Sequence, residues 1–192
     1  MKKIFATFAF IATLITAPAF AQVTDLSKAN PEDYLVMDVD YITGQGQVII
    51  RMAPKAAPNH IARIKELTRE GFYNGIIFHR VIDGFMAQTG DPKGDGSGGS
   101  GQNLDAEFNR IPHLRGTLSM ARATEENSAD SQFFICFDRR PDLDEKYTVW
   151  GRVVKGMEHL DALPVGEPPH TPGIIKNLRV ASDIDGWPNN IQ

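Results

Sequence analysis

Between residues 34 and 180 the chain breaks into short stretches that suit strands, separated by glycine- and proline-bearing turns, and little of it reads as helix. That pattern is the tightest constraint on the fold. Tyr34–Asp40 alternates, with Leu35, Met37 and Val39 on one face, as a half-buried strand does. A turn at Thr43–Gly46 returns the chain as Gln47–Met52, making a hairpin. Further short strands are expected at Ile76–Ile82, Met86–Gln88, Thr117–Met120, Gln132–Phe137, Thr148–Val154 and Ile174–Val180. Only Pro54–Gly71 changes clearly to helical period, with Ile61, Ile64 and Leu67 on one stripe, Pro58 in the first turn and Gly71 as the stop. Met157, Leu160 and Leu163 suggest a second, short helix. His60, Arg63 and Lys65 fall off the first helix's stripe and read as satisfied or solvated groups. Many short strands with two helices imply a mainly β fold, a closed or nearly closed antiparallel barrel.

The first 21 residues stand apart. Lys2 and Lys3 precede an uncharged apolar run, Ile4–Phe20, and Ala19-Phe20-Ala21 offers small residues around a cleavage point. This is the pattern of a secretory signal peptide, cut after Ala21. The remainder, residues 22–192, reads as a single domain with its core at about 34–184, large enough to bury a sizeable interior. Loss of Lys2 and Lys3 takes the formal charge from −4 to −6. An acidic chain gives no support for nucleic-acid binding, and after cleavage no apolar run remains to hold it at a membrane. Cys136 is the only cysteine, so no intramolecular disulfide forms and stability rests on packing.

The stretch IFHRVIDGFMAQTGDPKGDGSGGSG, Ile77–Gly101, sets Arg80 and Gln88 among apolar residues and then carries six glycines from Gly90 to Gly101. A phosphate loop would need Gly-Lys-Ser/Thr opening a helix, which is absent. A calcium loop starting at Asp91 would have Asp95 and Gly96 in place, but Lys93 stands at the third position and Gln102 at the twelfth. GDGSGG resembles a serine-protease signature with one glycine too many, which moves Ser97 out of the tight turn such a nucleophile needs. An ordered loop that allows close backbone approach is the reading that survives. Strand alternation sends Phe78, Arg80 and Ile82 one way and His79 and Val81 the other. His79 reads as a core histidine bonded to backbone. Pattern alone leaves open whether Arg80 is merely exposed or serves chemistry.

FHRVIDGFMAQTGDPKGDGSGGSG, LSMAR at Leu118–Arg122 and SQFFIC at Ser131–Cys136 together resemble the cyclophilin-type peptidyl-prolyl cis-trans isomerases, over about Tyr34 to Ile184. The resemblance implies a closed eight-stranded antiparallel β-barrel capped by two α-helices, and an enzyme acting on proline-containing segments of unfolded or exported proteins through a groove on the barrel's outer face, with neither cofactor nor metal. It makes Arg80 the catalytic arginine and Gln88 its partner on the substrate backbone. Phe85, Met86, Phe134 and Leu143 become the walls of the proline pocket, and Ala121 and Arg122 the segment whose backbone pins the peptide. Arg122 stands where asparagine is common, which a main-chain contact tolerates. Tyr147 replaces a histidine at the rim and keeps an aromatic wall with a polar tip. Asp142 replaces the tryptophan that helps hold cyclosporin, so weak binding of that drug is expected. With the leader, the implied place is the periplasm, and the implied form a monomer. The alternative is a non-catalytic proline-binding chaperone module, which would be freer to lose Arg80.

Overall fold

A computed structural model describes residues 25–191; the expected signal peptide, residues 1–21, lies outside them. Eight strands form one sheet in which every neighbouring pair is antiparallel: β1 (Tyr34–Tyr41), β2 (Gly44–Met52), β3 (Arg80–Ile82), β4 (Met86–Thr89), β5 (Thr117–Met120), β6 (Phe133–Cys136), β7 (Val149–Lys155) and β8 (Ile174–Val180). Their order across the sheet is β3-β4-β6-β5-β7-β2-β1-β8. Register shifts in β1–β8, β2–β7 and β5–β7 are the irregularities that bend strands and increase twist, and the sheet curls on itself. Closure is less complete than the sequence suggested. The end strands β3 and β8 share no ladder; the chain just ahead of β3 meets β8 through the single bridge Ile77↔Ile174 and a few backbone bonds, among them Phe78 N–H to Gly173 O at 2.8 Å.

Alternation sorts the side chains. Leu35, Met37 and Val39 of β1 point into the main core with Val81, Ala87, Leu118, Ile135 and Trp150 from the other strands. Tyr34 and Val36 point out, where Leu26, Ala29, Ile184 and Trp187 from the two chain ends cover them. Helix α1 (Pro58–Arg69) sets Ile61, Ile64 and Leu67 into the core, as its stripe requires. Its N-terminus has no side-chain cap of its own. Glu107 supplies one from a distant loop, accepting the amides of Asn59 and His60 at 3.0 Å and the His60 Nδ1 at 2.7 Å. His60 is bonded at Nδ1 but its Nε2 has no hydrogen-bond partner, and the ring is wholly buried rather than on the surface.

The first hairpin turns earlier than its glycines suggest. Tyr41 pairs with Gly44, so Ile42 and Thr43 form the tip and both glycines lie in β2. A Cβ on Gly46 would overlap the His159 ring, and that opening lets short helix α2 (Met157–Asp161) bring His159 Nδ1 within 3.0 Å of Tyr41 Oη. Gly156, just before α2, has φ +87° and would place a Cβ 2.1 Å from the Gln47 carbonyl oxygen. Gly156→Ala should therefore lower the unfolding free energy by about 2 kcal/mol or more, because backbone rather than a side-chain tip must move. Urea titration of the variant against wild type measures it.

Candidate active site

Four strands build the site by register. Arg80 pairs with Gln88, Gln88 with Phe134, and Phe134 with Ser119, so these four lie in a row across β3-β4-β6-β5. Directly opposed residues share a face. Val81, Ala87, Ile135 and Leu118 form the adjacent row and enter the core, which leaves the Arg80 row on the outside of the barrel. Met86, Phe134 and Cys136 then form a separate apolar cluster, packed by Ile82, Phe85, Ala121, Leu143 and Tyr147. Phe78 does not join them. The chain is not yet a strand at Phe78, and its ring is wholly buried in the main core, contrary to simple alternation with Arg80.

All nine residues singled out from the sequence, Arg80, Phe85, Met86, Gln88, Ala121, Arg122, Phe134, Leu143 and Tyr147, line one cavity of about 130 Å³. Buried Met86 and Phe134 make its floor. Tyr147 stands edge-on to Phe134, ring centres 5.8 Å apart. Arg122 lies over the Tyr147 ring at 4.8 Å, while its terminal nitrogens donate to the carbonyls of Ala123, Thr124 and Lys146. Its side chain therefore joins two loops across the rim, a structural role beyond the main-chain contact expected of it. Arg140 covers the outer face of Phe85 at 3.8 Å and pairs with Asp142. The Arg80 guanidinium lies 5.9 Å from the Phe85 ring centre, and its Nε donates to Glu167 at 2.6 Å.

A second hollow, about 490 Å³, adjoins the first and shares Gln88, Ala121 and Arg122 with it. The glycine loop forms its far wall and is ordered from within. Asp91 is almost wholly buried and accepts the amides of Lys93, Asp95 and Gly96. Burial works against its charge, but the backbone donors outweigh it and hold the carboxyl below the usual carboxylate range. The loop is fastened to the pocket by amides: Gln88 Nε2 donates to Gln132 Oε1 at 2.9 Å, and Gln132 donates to the carbonyls of Gly96 and Gly98. Gln132, Arg140 and Glu167 were not singled out in the sequence. Gln132 precedes SQFFIC's aromatic pair and had a positional signal; Glu167 sits 87 residues from Arg80 and had none.

Beneath the pocket lies a polar scaffold. His113 stacks on Phe134, ring centres 6.1 Å apart and 13° from parallel. Its Nε2 meets Ser119 Oγ at 3.1 Å and its Nδ1 meets Asp144 at 3.1 Å. This has the connectivity of a hydrolytic triad, but Ser119 is wholly buried and its hydroxyl donates to the Thr148 carbonyl, so no substrate reaches it. Burial lowers the His113 pKa although the Asp144 bond opposes this. His79 is buried too, yet neither ring nitrogen has a hydrogen-bond partner, unlike the backbone-bonded histidine expected; desolvation lowers its pKa. Burial likewise pushes the Cys136 thiol up to about 12, so it is an inert apolar filler. Among the described residues no group of three or more His, Cys, Asp or Glu side chains is placed to hold a metal ion.

The outer face of the curled antiparallel sheet thus carries a small cavity with apolar walls and a guanidinium at its edge. Comparison with known proteins is consistent in sequence and in structure. The family described as cyclophilin type peptidyl-prolyl cis-trans isomerase matches residues 36–182. A probable peptidyl-prolyl cis-trans isomerase of Brucella suis is 44% identical, covering 88% of this chain and 92% of that one. A cyclophilin from Hirschia baltica superposes with a TM-score of 0.73 at 30% identity, over 82% of this chain and 77% of that one. A cyclophilin type isomerase from Cryptosporidium parvum, solved in the presence of the dipeptide Ala-Pro, gives 0.70 at 30% identity, over 77% and 98%. The chain belongs to the cyclophilin-type family, and it is a peptidyl-prolyl cis-trans isomerase.

Asp144 offers a direct test of the scaffold. Desolvation opposes its charge, but the Arg139 guanidinium and the His113 donors hold its carboxyl at about 2, below the usual carboxylate range. A depressed carboxyl pKa stabilises the folded state fully above the unfolded-state pKa and less as pH falls through the folded one. Asp144→Asn should lower stability by about 1–3 kcal/mol at pH 7, and the gap to wild type should narrow between about pH 4 and pH 2. Urea titrations across that range check both size and direction.

Proposed function

We propose that Arg80 drives isomerisation by donating to the imide nitrogen of an X-Pro bond as that bond twists. Resonance opposes rotation with a barrier of about 18–20 kcal/mol, and no covalent bond need break. The nitrogen regains a lone pair only when the amide leaves planarity, so a donor aimed at it favours the twisted state over both planar ones. Arg80 suits this role. A guanidinium is a permanent cation, and among the described residues only its Nε makes a hydrogen bond, which leaves the terminal nitrogens for substrate. Met86, Phe134, Phe85, Leu143 and Tyr147 receive the proline ring and exclude water, which strengthens a charged contact. Gln88 and the backbone at Ala121 and Arg122 hold the flanking peptide while the proline side turns. The observation that carries this reading is the single cavity shared by all nine residues.

A rate gain of about five decades needs roughly 7 kcal/mol of differential stabilisation, and one charged hydrogen bond supplies only about 1.5–3 kcal/mol. The pocket and the peptide clamp must therefore contribute alongside Arg80. In a short X-Pro peptide assay, wild type should accelerate cis-to-trans relaxation strongly, and Arg80→Ala should lose about two decades or more with the fold intact. Full activity in Arg80→Ala would reject the proposal.

The clients we propose are exported proteins folding in the periplasm. The support is the leader-like pattern at residues 1–21; protein purified from the cell envelope should begin at Gln22, and retention of those residues would contradict export with cleavage. Asp142, half exposed and paired with Arg140, supports weak cyclosporin binding. Asp142→Trp should tighten it about tenfold by restoring an aromatic contact, as an inhibition titration would show.

A further inference from the structure

We propose that Glu167 is a positioning residue for Arg80, holding the guanidinium edge so that its two terminal nitrogens face the pocket. This rests on the reading that Arg80 donates to the imide nitrogen. The contact between Arg80 Nε and Glu167 Oε2 is 2.6 Å long. It joins the short strand β3 to the loop between α2 and β8. That loop is fixed to β3 at the neighbouring residues: Val81 N–H donates to Gly166 O and Gly166 N–H donates to Val81 O, each at 2.9 Å. The backbone pair sits one residue from both ends of the side-chain pair, so the carboxylate has a fixed root beside the guanidinium.

The loop itself has little freedom. Pro164, Pro168, Pro169 and Pro172 each lock φ near −65°. At Gly166 the chain folds so closely that a Cβ would stand 2.5 Å from Pro169 Cα. Glu167 is therefore delivered by a stiff segment, whereas Arg80 hangs on a long side chain that is more than a third exposed. A free arginine there would sample many rotamers, and catalysis depends on aim. The carboxylate restrains one edge of the guanidinium while the Phe85 ring lies 5.9 Å from its carbon. A bidentate grip on the terminal nitrogens would occupy the donors that the reaction needs; the contact through Nε leaves them free.

An exposed pair of this kind adds little to stability, so a kinetic role is separable from a structural one. The test uses the purified protein with Glu167→Ala, Glu167→Gln and Arg80→Ala. Three properties are measured: kcat and KM on a short X-Pro peptide, Tm, and the Arg80 Nε–Hε resonance in a 1H–15N spectrum. Glu167→Ala should lower kcat about tenfold with KM changed by less than about twofold. Glu167→Gln keeps a carbonyl acceptor and should recover most of that loss. In Glu167→Ala the Arg80 Hε should exchange faster with solvent, while Tm stays within a few degrees.

Unchanged kcat in Glu167→Ala alongside an inactive Arg80→Ala would sink the positioning role alone. A loss confined to KM, or one that Gln fails to recover, would also overturn it. Full activity in Arg80→Ala would remove the reading of Arg80 itself, and Glu167's role with it.

Discussion

The site depends on register between three short strands, β3, β4 and β6. A slip of one residue in β4 would send Gln88 and Met86 into the core and bring Ala87 out, because side-chain direction has a period of two. The pairings Arg80↔Gln88 and Gln88↔Phe134 therefore do two things at once. They complete the core with Val81, Ala87 and Ile135, and they place a cation, an amide and an aromatic ring side by side on the outer face. The energy of the core holds the polar row where it is, although that row adds little to folding.

Under the row, buried polar groups give the pocket its rigidity. Phe134 rests against His113, and His113 is fixed at both ring nitrogens by Ser119 and Asp144. Asp144 is in turn held by Arg139. A stacked, fully bonded imidazole cannot turn away easily, so the pocket floor is braced from behind. Next to the pocket, the Asp91-centred glycine loop and the Gln88–Gln132 link fix the neighbouring hollow. Binding a flexible peptide costs ordering entropy, and a groove already set in shape leaves less of it to the protein.

Much of this was legible in the sequence, for physical reasons. Strand alternation is local, so the eight strands and the inward set Leu35, Met37 and Val39 could be read directly. Seven of the nine pocket residues lie in dense motifs; Leu143 and Tyr147 lie outside them and were named only through the family resemblance. Features made by distant chain segments were not legible. The turn tip lies at Ile42–Thr43, and Gly46 inside β2 leaves room for His159 from a helix more than a hundred residues away. His60 is buried and bonded to Glu107, 47 residues away, which caps its helix. Phe78 enters the core because β3 starts only at Arg80. The seam closes by isolated bonds rather than a ladder, a matter of strand curvature that no single stretch encodes.

The claim at the centre is differential: Arg80 acts on the twisted imide and hardly on the planar one. The most direct measurement titrates a proline peptide into wild type and Arg80→Ala by NMR, reading affinity and cis–trans exchange from the same spectra. Affinity should change by less than about threefold while exchange slows about a hundredfold or more. An affinity loss as large as the rate loss would mean that Arg80 only holds substrate, and would contradict the account.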